Sequence, residues 1–397
     1  MPGVSGPDRR TLLTTLTAGA VGAAGGAAAA WQQPPAPPVD TGSRHLAPTP
    51  QQFGAVGDGV ADDGAALAAW LRAGATGVSL RLASGLYRTT RPLEVRIGGK
   101  GRGLAIWGDG AANTGILAGG PVGRPALRIV GNMPEFDQLH LGGFRIERPD
   151  RGARGFGDGQ GLLVENVRQF AIDDLRTFRN GCGLHLIGCL VGRIVNVLSY
   201  YDRRGMLLEQ GGYLSTPNVI AIDHCSVLAS LRVGVDLNAS TCVTMRGTTI
   251  ESTGVEAPNE RATGLIVRQS GLAGGVAIDA SALYFEDNHG SDVVIDHPDR
   301  PLTYGFTRCV FNRFAKSATA PTIVFGSRNG PGAARAMLDV GGSAFLGHGV
   351  NYRASSARPA IGFNFPNGYS DVQILDGGAL YQFEEERPDG KLFHSIR

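Results

Sequence analysis

GLLVENVRQFAIDDLRTFRNGCGLHLIGCLVGRIVNVLSYYDRRGMLL, residues 161–208, decides the fold. Glycine recurs at Gly161, Gly183 and Gly205, an interval of 22 both times (183−161 and 205−183), and each opens a short aliphatic run: GLLV, GLHL and GMLL. Further positions superimpose at the same interval: Ile172 on Ile194, Leu175 on Val197, Phe178 on Tyr200 and Asn180 on Asp202. The opening returns at wider intervals as GVDL (234–237), GLIV (264–267) and, with its glycine lost, DVVI (292–295). A repeat of this length means a solenoid, whose units bury their apolar edges only by stacking on one another. The units are short β-branched and aliphatic runs between turns, without helical spacing, so an all-β, single-stranded parallel β-helix is predicted.

Sixty glycines in 397 residues suit such a chain, whose many corners call for positive φ. The formal net charge is +2, and no basic run exceeds two residues, so nothing resembles a nucleic-acid footprint. Residues 1–30 read as a targeting segment: Arg9-Arg10 precede an Ala/Gly-rich apolar stretch, the pattern of a twin-arginine signal, which predicts a periplasmic or secreted protein. That stretch is too weakly apolar for stable membrane insertion. Residues 31–50 are a Pro-rich linker, 51–385 the β-helix domain and 386–397 a polar tail.

Five cysteines (182, 189, 225, 242 and 309) form no CxxC pair. Cys225 and Cys309 share a local pattern with Ser281 and Ser343, which reads as a stack of small semi-buried side chains; one disulfide between coils stays open. No metal site is predicted.

Residues 52–70 give a short strand, a Gly-rich turn and an amphipathic helix with Asp62 or Asp63 as its N-cap, a plug for the first open coil. FGAVGDGVADDGAAL (53–67), VSLRLASGLYRTTRPLEV (78–95) and LAIWGDGAANTGIL (104–117) together resemble the opening of the pectate-lyase superfamily, which includes polygalacturonases, rhamnogalacturonases and phage tailspike depolymerases. The resemblance is strong over about 52–120 and diffuse over 155–350. It implies a right-handed β-helix with an N-terminal capping helix, acting on polysaccharide as hydrolase, lyase or non-catalytic binder. One departure is Gly64, where the family usually has Thr. The acidic residues Asp58, Asp62 and Asp63 read as turn and cap chemistry.

Stacked coils place equivalent positions about 4.8 Å apart, which turns alignment into distance. Asp158, Asn180 and Asp202 each precede a strand glycine by three residues, so the two aspartates stand roughly 9.6 Å apart, the upper limit for an inverting pair. Polygalacturonases carry catalytic aspartates just before such strands, which singles out Asp202. The family's Asn-x-Asp, Asp-Asp and Arg-x-Lys signatures are missing around it, and Gly347-His348-Gly349 matches a family Gly-His-Gly in letters only. A second pair is Glu251 and Glu286, from IEST (250–253) and YFEDN (284–288), with Asp287 beside them. Aligned on Ile250 and Phe285 they are adjacent rungs about 5 Å apart; aligned on Met245 and Ile278 they are offset to roughly 8 Å. The first suits a retaining mechanism, the second an inverting one.

Substrate contacts are predicted for SYYDRRG (199–205), where Tyr200 and Tyr201 stack on sugar faces and Arg203 and Arg204 pair with uronate carboxylates, and outside it for His185, Arg246 and Asp287. In the lyase alternative an arginine is the base and Ca²⁺ neutralises the uronate; otherwise no cofactor is required. His185 points outward, either to substrate or simply as an exposed surface histidine, and Glu209, with Ile187 and Glu165 as rung neighbours, is a reserve candidate. Leu163, Leu207 and Ile266 share an outward column that hints at association, so monomer and homotrimer are both open. These readings predict an exported enzyme that cleaves an acidic polysaccharide, hydrolysis ahead of elimination, with a non-catalytic carbohydrate-binding solenoid as the competing class.

Overall fold

The interval of 22 residues is one complete coil. In the computed structural model, Leu162, Leu184 and Met206 stand on successive parallel strands, and Val235, Leu265 and Val293 continue the column. The structure describes residues 47–98, 103–120, 123–132, 137–149, 159–212, 216–255, 262–268, 275–297, 302–313 and 322–327, with short runs from there to 396. The targeting segment, Asp158, the Pro-rich linker before Ala47 and His348 lie outside the described residues.

Most coils have three strands, as in Cys182–Ile187, Leu190–Val195 and Leu198–Tyr200, while Gln138–Glu147 and Gln169–Phe178 run unbroken through the second and third positions. The first kind forms a ten-stranded parallel front stack, running from Leu93–Arg96 to Ile361–Asn364. The second and third kinds form a back stack and a side stack within one larger sheet. Parallel pairing persists to Val372–Asp376, beyond which Ala379–Gln382 and His394–Ile396 add antiparallel strands. The chain is thus a right-handed single-stranded parallel β-helix.

The recurring glycine has a steric cause. A Cβ on Gly183 would lie 2.3 Å from the Asp202 carboxylate and 2.8 Å from the carbonyl oxygen of Gly205 on the next coil. Gly161, Gly205, Gly234 and Gly264 meet the carbonyl one coil on in the same way, at 2.5–2.8 Å. The corners, expected to consume the glycine excess, are often turned by other residues: Arg179, Asn196, Tyr201, His224, Ala229, Ser252, Ala282 and Asp287 hold φ between 46° and 58°. Gly183→Ala is therefore expected to lower the unfolding free energy by about 3 kcal/mol, a severe overpacking cost, read from the urea midpoint.

Register follows the apolar columns. Ile250 pairs with Phe285 and Glu251 with Glu286, while Met245 pairs with Ala280 and Val243 with Ile278, so the offset alternative is excluded. The interior is aliphatic, with Phe285 and Phe311 stacked at 4.9 Å. Cys225 and Cys309 lie in a buried corner column, where their amides donate to Thr248 Oγ1 and Ser343 Oγ. Ser281 is not in that column, because it pairs with Arg246 and Thr307. All five cysteines are free thiols, four buried and Cys242 exposed.

The helix α1 (Gly64–Gly74) buries Leu67, Trp70 and Leu71 and packs on the 3-10 turn Pro50–Phe53 and on Leu93–Arg96. Asp62 accepts from the Gly64 amide and from Thr90, Asp63 from the Val56 and Gly57 amides, and Asp58 from those of Val60 and Ala61. These carboxylates do turn chemistry. A side chain at Gly64 would fall 2.8 Å from Thr89 Oγ1, which accounts for the departure from Thr. Among the described residues no helix is long and apolar enough to cross a membrane.

Candidate active site

Through the middle of the solenoid the corner between back and side stacks is two residues: 196–197, 224–225, 247–248, 282–283 and 308–309. Connections to and from the front stack vary instead, with 252–262 and 314–322 on one edge and 210–217, 269–274 and 328–335 on the other. The fold delivers its length variation to both edges of one face, where solenoids carry function.

On that face, alternation turns Leu184 and Leu186 inward and His185 outward. The outward column reads Arg128, Leu163, His185, Leu207, Asp236, Ile266 and Val294. His185 and Asp236 break the apolar strip expected from Leu163, Leu207 and Ile266. His185 is also not the exposed histidine expected: it is only 6% accessible, with Nε2 2.8 Å from Glu209 Oε1 and Gln160 Nε2 3.5 Å from Nδ1. Asp236 is 2% accessible, and its Oδ2 accepts from Arg268 Nη2 at 3.2 Å, with Arg204 Nε at 3.7 Å. Its Oδ1 is buried without a hydrogen-bond partner. The two arginines are about one-third exposed, so the cluster meets solvent through them.

The two carboxylates are tuned in opposite directions. The hydrogen bond with His185 leads the causes that hold Glu209 below its ordinary range, ahead of a smaller opposing cost of burial. Burial pushes Asp236 up, only partly offset by Arg268 and Arg204. Leu207 pairs with Asp236, and Glu209 lies two residues beyond Leu207, so the acidic pair sits on adjacent strands on a diagonal of roughly 8 Å.

A second acidic cluster occupies the side stack. The outward column runs Phe178, Tyr200, Leu228, Glu251, Glu286 and Asn312. Glu251 and Glu286 are therefore adjacent rungs. Burial first, then Glu286 and Asp287, raises the Glu251 carboxyl; burial and then Asp287 raises Glu286, against a hydrogen bond from Tyr284. Asn312 Nδ2 donates to Tyr284 Oη at 2.9 Å and lies 3.5 Å from Glu286 Oε1. Tyr200 stands two rungs away, edge-on to Phe178 and Tyr201 at 6.1 and 4.2 Å.

The remaining predicted residues scatter. Asp202 points into the core, fully buried, where it accepts from Thr177 Oγ1, Ser199 Oγ, the Asn180 amide and Asn180 Nδ2; no substrate reaches it, so its expected catalytic role is withdrawn. Arg246 lies on the back stack, away from both clusters. Arg203 sits at the corner before the front stack, its amide donating to the Asn180 carbonyl. Asp236 and Arg268 were missed, although the repeat pointed to Asp236. The third letter of each strand opening (Leu, His, Leu, Asp, Ile, Val) is the outward one, and an acid there has no place in a core. Among the described residues no group of three or more His, Cys, Asp or Glu is placed to hold a metal ion.

No protein-family model matches the sequence, and no curated protein does. Solved structures do. The chain is similar to the gp42 tailspike of Acinetobacter phage vb_AbaP_AS12, with TM-score 0.57 and 13% identity over 87% of this chain and 66% of the other. It is also similar to ORF18 of Geobacillus virus E2, with TM-score 0.55 and 13% identity over 86% of this chain and 65% of the other. The chain thus spans just under two thirds of the length of these structures.

Proposed function

We propose that this chain, which has the right-handed parallel β-helix fold of the pectate-lyase superfamily, is an exported hydrolase that cuts an acidic polysaccharide on the outer face of its front stack. The observation that carries the reading is the opposite tuning of Glu209 and Asp236, because an acid and a base that work at one pH need pKa values driven apart. Protonated Asp236 gives its proton to the glycosidic oxygen as the bond to the anomeric carbon breaks. Ionised Glu209, steadied by His185, takes a proton from the water that attacks the opposite face of that carbon. A backbone separation near 8 Å suits carboxyls spaced for this water, the arrangement of an inverting pair. Arg204 and Arg268 border the pair, and their exposed ends suit a uronate carboxylate, whose binding there draws them off Asp236 and brings the glycosidic oxygen to it.

Elimination is less well supported, since Arg204 is already turned to Asp236 and a guanidinium is a poor base. The adjacent Glu251 and Glu286, both raised by burial and by neighbouring acids, favour a second reading, a retaining site with Tyr200 as a sugar platform. The experiment is incubation of the mature protein with pectic, alginate-like and capsular polymers. New reducing ends without absorbance from an unsaturated uronate are expected. Such absorbance would mean a lyase, and binding without shortening would mean a non-catalytic solenoid.

A further inference from the structure

The outer face of the back stack belongs to neither acidic cluster, and it is open. Val191, Val219 and Val276 are 46%, 55% and 41% accessible, and Cys242 is exposed. Val191, Val219 and Cys242 hold φ of 49–54°, a conformation that costs a β-branched residue on the order of 1–3 kcal/mol. The strained valines and Cys242 border, with Phe170, a groove of about 350 Å³.

The central charges on this face have an order that reads the same when reversed with sign. One outward column runs Ala171, Arg193, Ala221, Thr244, Asp279, Gly305. Two residues along each strand, the next runs Asp173, Val195, Asp223, Arg246, Ser281, Thr307. A two-fold axis parallel to the strands, passing between the rungs of Ala221 and Thr244, lays each column on itself in reverse. It sets Arg193 against the partner's Asp279, Asp223 against the partner's Arg246 and Val219 against the partner's Cys242. Elsewhere small residues meet small ones, except that Asp173 meets the partner's Thr307. Arg193, Arg246 and Asp279 are exposed, none in a salt bridge with a described residue, and Asp223 Oδ1 is buried without a hydrogen-bond partner.

We infer that a second copy of this chain docks on this face, back stack to back stack with coils antiparallel, as an isologous dimer. Six strands about 4.8 Å apart and five residues of about 3.3 Å make a patch of roughly 400 Å² per copy. At about 800 Å² in total this lies below the standard interface, the size of a weak, transient association. The dimer leaves both front stacks open, so it stands independently of the hydrolase reading.

Sedimentation velocity from about 5 to 200 μM tests it, with wild type expected to pass from monomer to dimer. Arg193→Asp and Asp279→Arg alone should each weaken dimerisation by about tenfold or more, and the double swap R193D/D279R should restore it to within about threefold. Alkylation of Cys242 by iodoacetamide should slow as wild type dimerises and stay fast in Arg193→Asp, a readout confined to this face. A monomer at 200 μM, single variants that dimerise like wild type, or a double variant no better than the singles would each overturn the proposal.

Discussion

Glu209→Gln and Asp236→Asn are each expected to lower kcat on the cleaved polymer by about 10³-fold, the middle of the range for loss of a general acid or base. Glu251→Gln and Glu286→Gln should stay within about fivefold of wild type. The pH profile provides a second readout that a structural role would not move. Activity needs Glu209 ionised and Asp236 protonated. The rate therefore rises with pH through the Glu209 pKa, held below the usual carboxylate range, and falls through that of Asp236, held above it. Reducing-end release measured from pH 3 to 9 should be bell-shaped in wild type, and the residual activity of Asp236→Asn should lose the alkaline fall. Equal melting temperatures for Glu209→Gln and wild type would show that the loss is chemical. If Glu251→Gln and Glu286→Gln lose activity while the front-stack variants keep it, the site belongs to the side stack.

The contrast between the two clusters shows what the sequence makes legible. Period and register are written in glycine and aliphatic columns, because a Cβ at Gly183 or Gly234 would strike the neighbouring coil and each inward column must stay apolar. The adjacent-rung pairing of Glu251 with Glu286 is therefore readable once Ile250 is set on Phe285. Burial of polar groups is harder to read. Asp202 and Asp236 look alike in sequence, each an acid beside a strand opening. One turns inward to an all-hydrogen-bonded position and the other outward between two arginines from neighbouring strands. Arg268 lies 32 residues from Asp236 across a coil of irregular length, so no fixed interval announces the pair. His185 misleads for the same reason: its outward direction follows from alternation, but its burial beside Glu209 depends on the next coil.

Asp202 supplies the sharpest test of a structural carboxylate. Asn180, Asp202, Ser230, Thr253 and Asn288 recur, all buried, as polar positions leading into the front stack, and Asn180 and Asn288 bond to neighbouring polar groups there. Asp202→Ala strands four donors and should cost about 3–5 kcal/mol, seen as a lower urea midpoint. Asp202→Asn should fold and keep full activity, because its amide oxygen can accept from Asn180 while its NH₂ donates to the Thr177 and Ser199 hydroxyls. Burial lifts the Asp202 carboxyl from 3.8 to about 6, outweighing the hydrogen bonds that pull it down. Between those values the folded chain keeps a proton that the unfolded chain releases, so the contribution of Asp202 to stability falls as pH rises from about 4 to about 6. The total change is on the order of 3 kcal/mol. The stability of wild type relative to Asp202→Asn should thus be greater at pH 4 than at pH 7.5 in paired urea titrations. The opposite sign would mean that four donors outweigh desolvation and that the ladder holds a carboxylate ion rather than an acid.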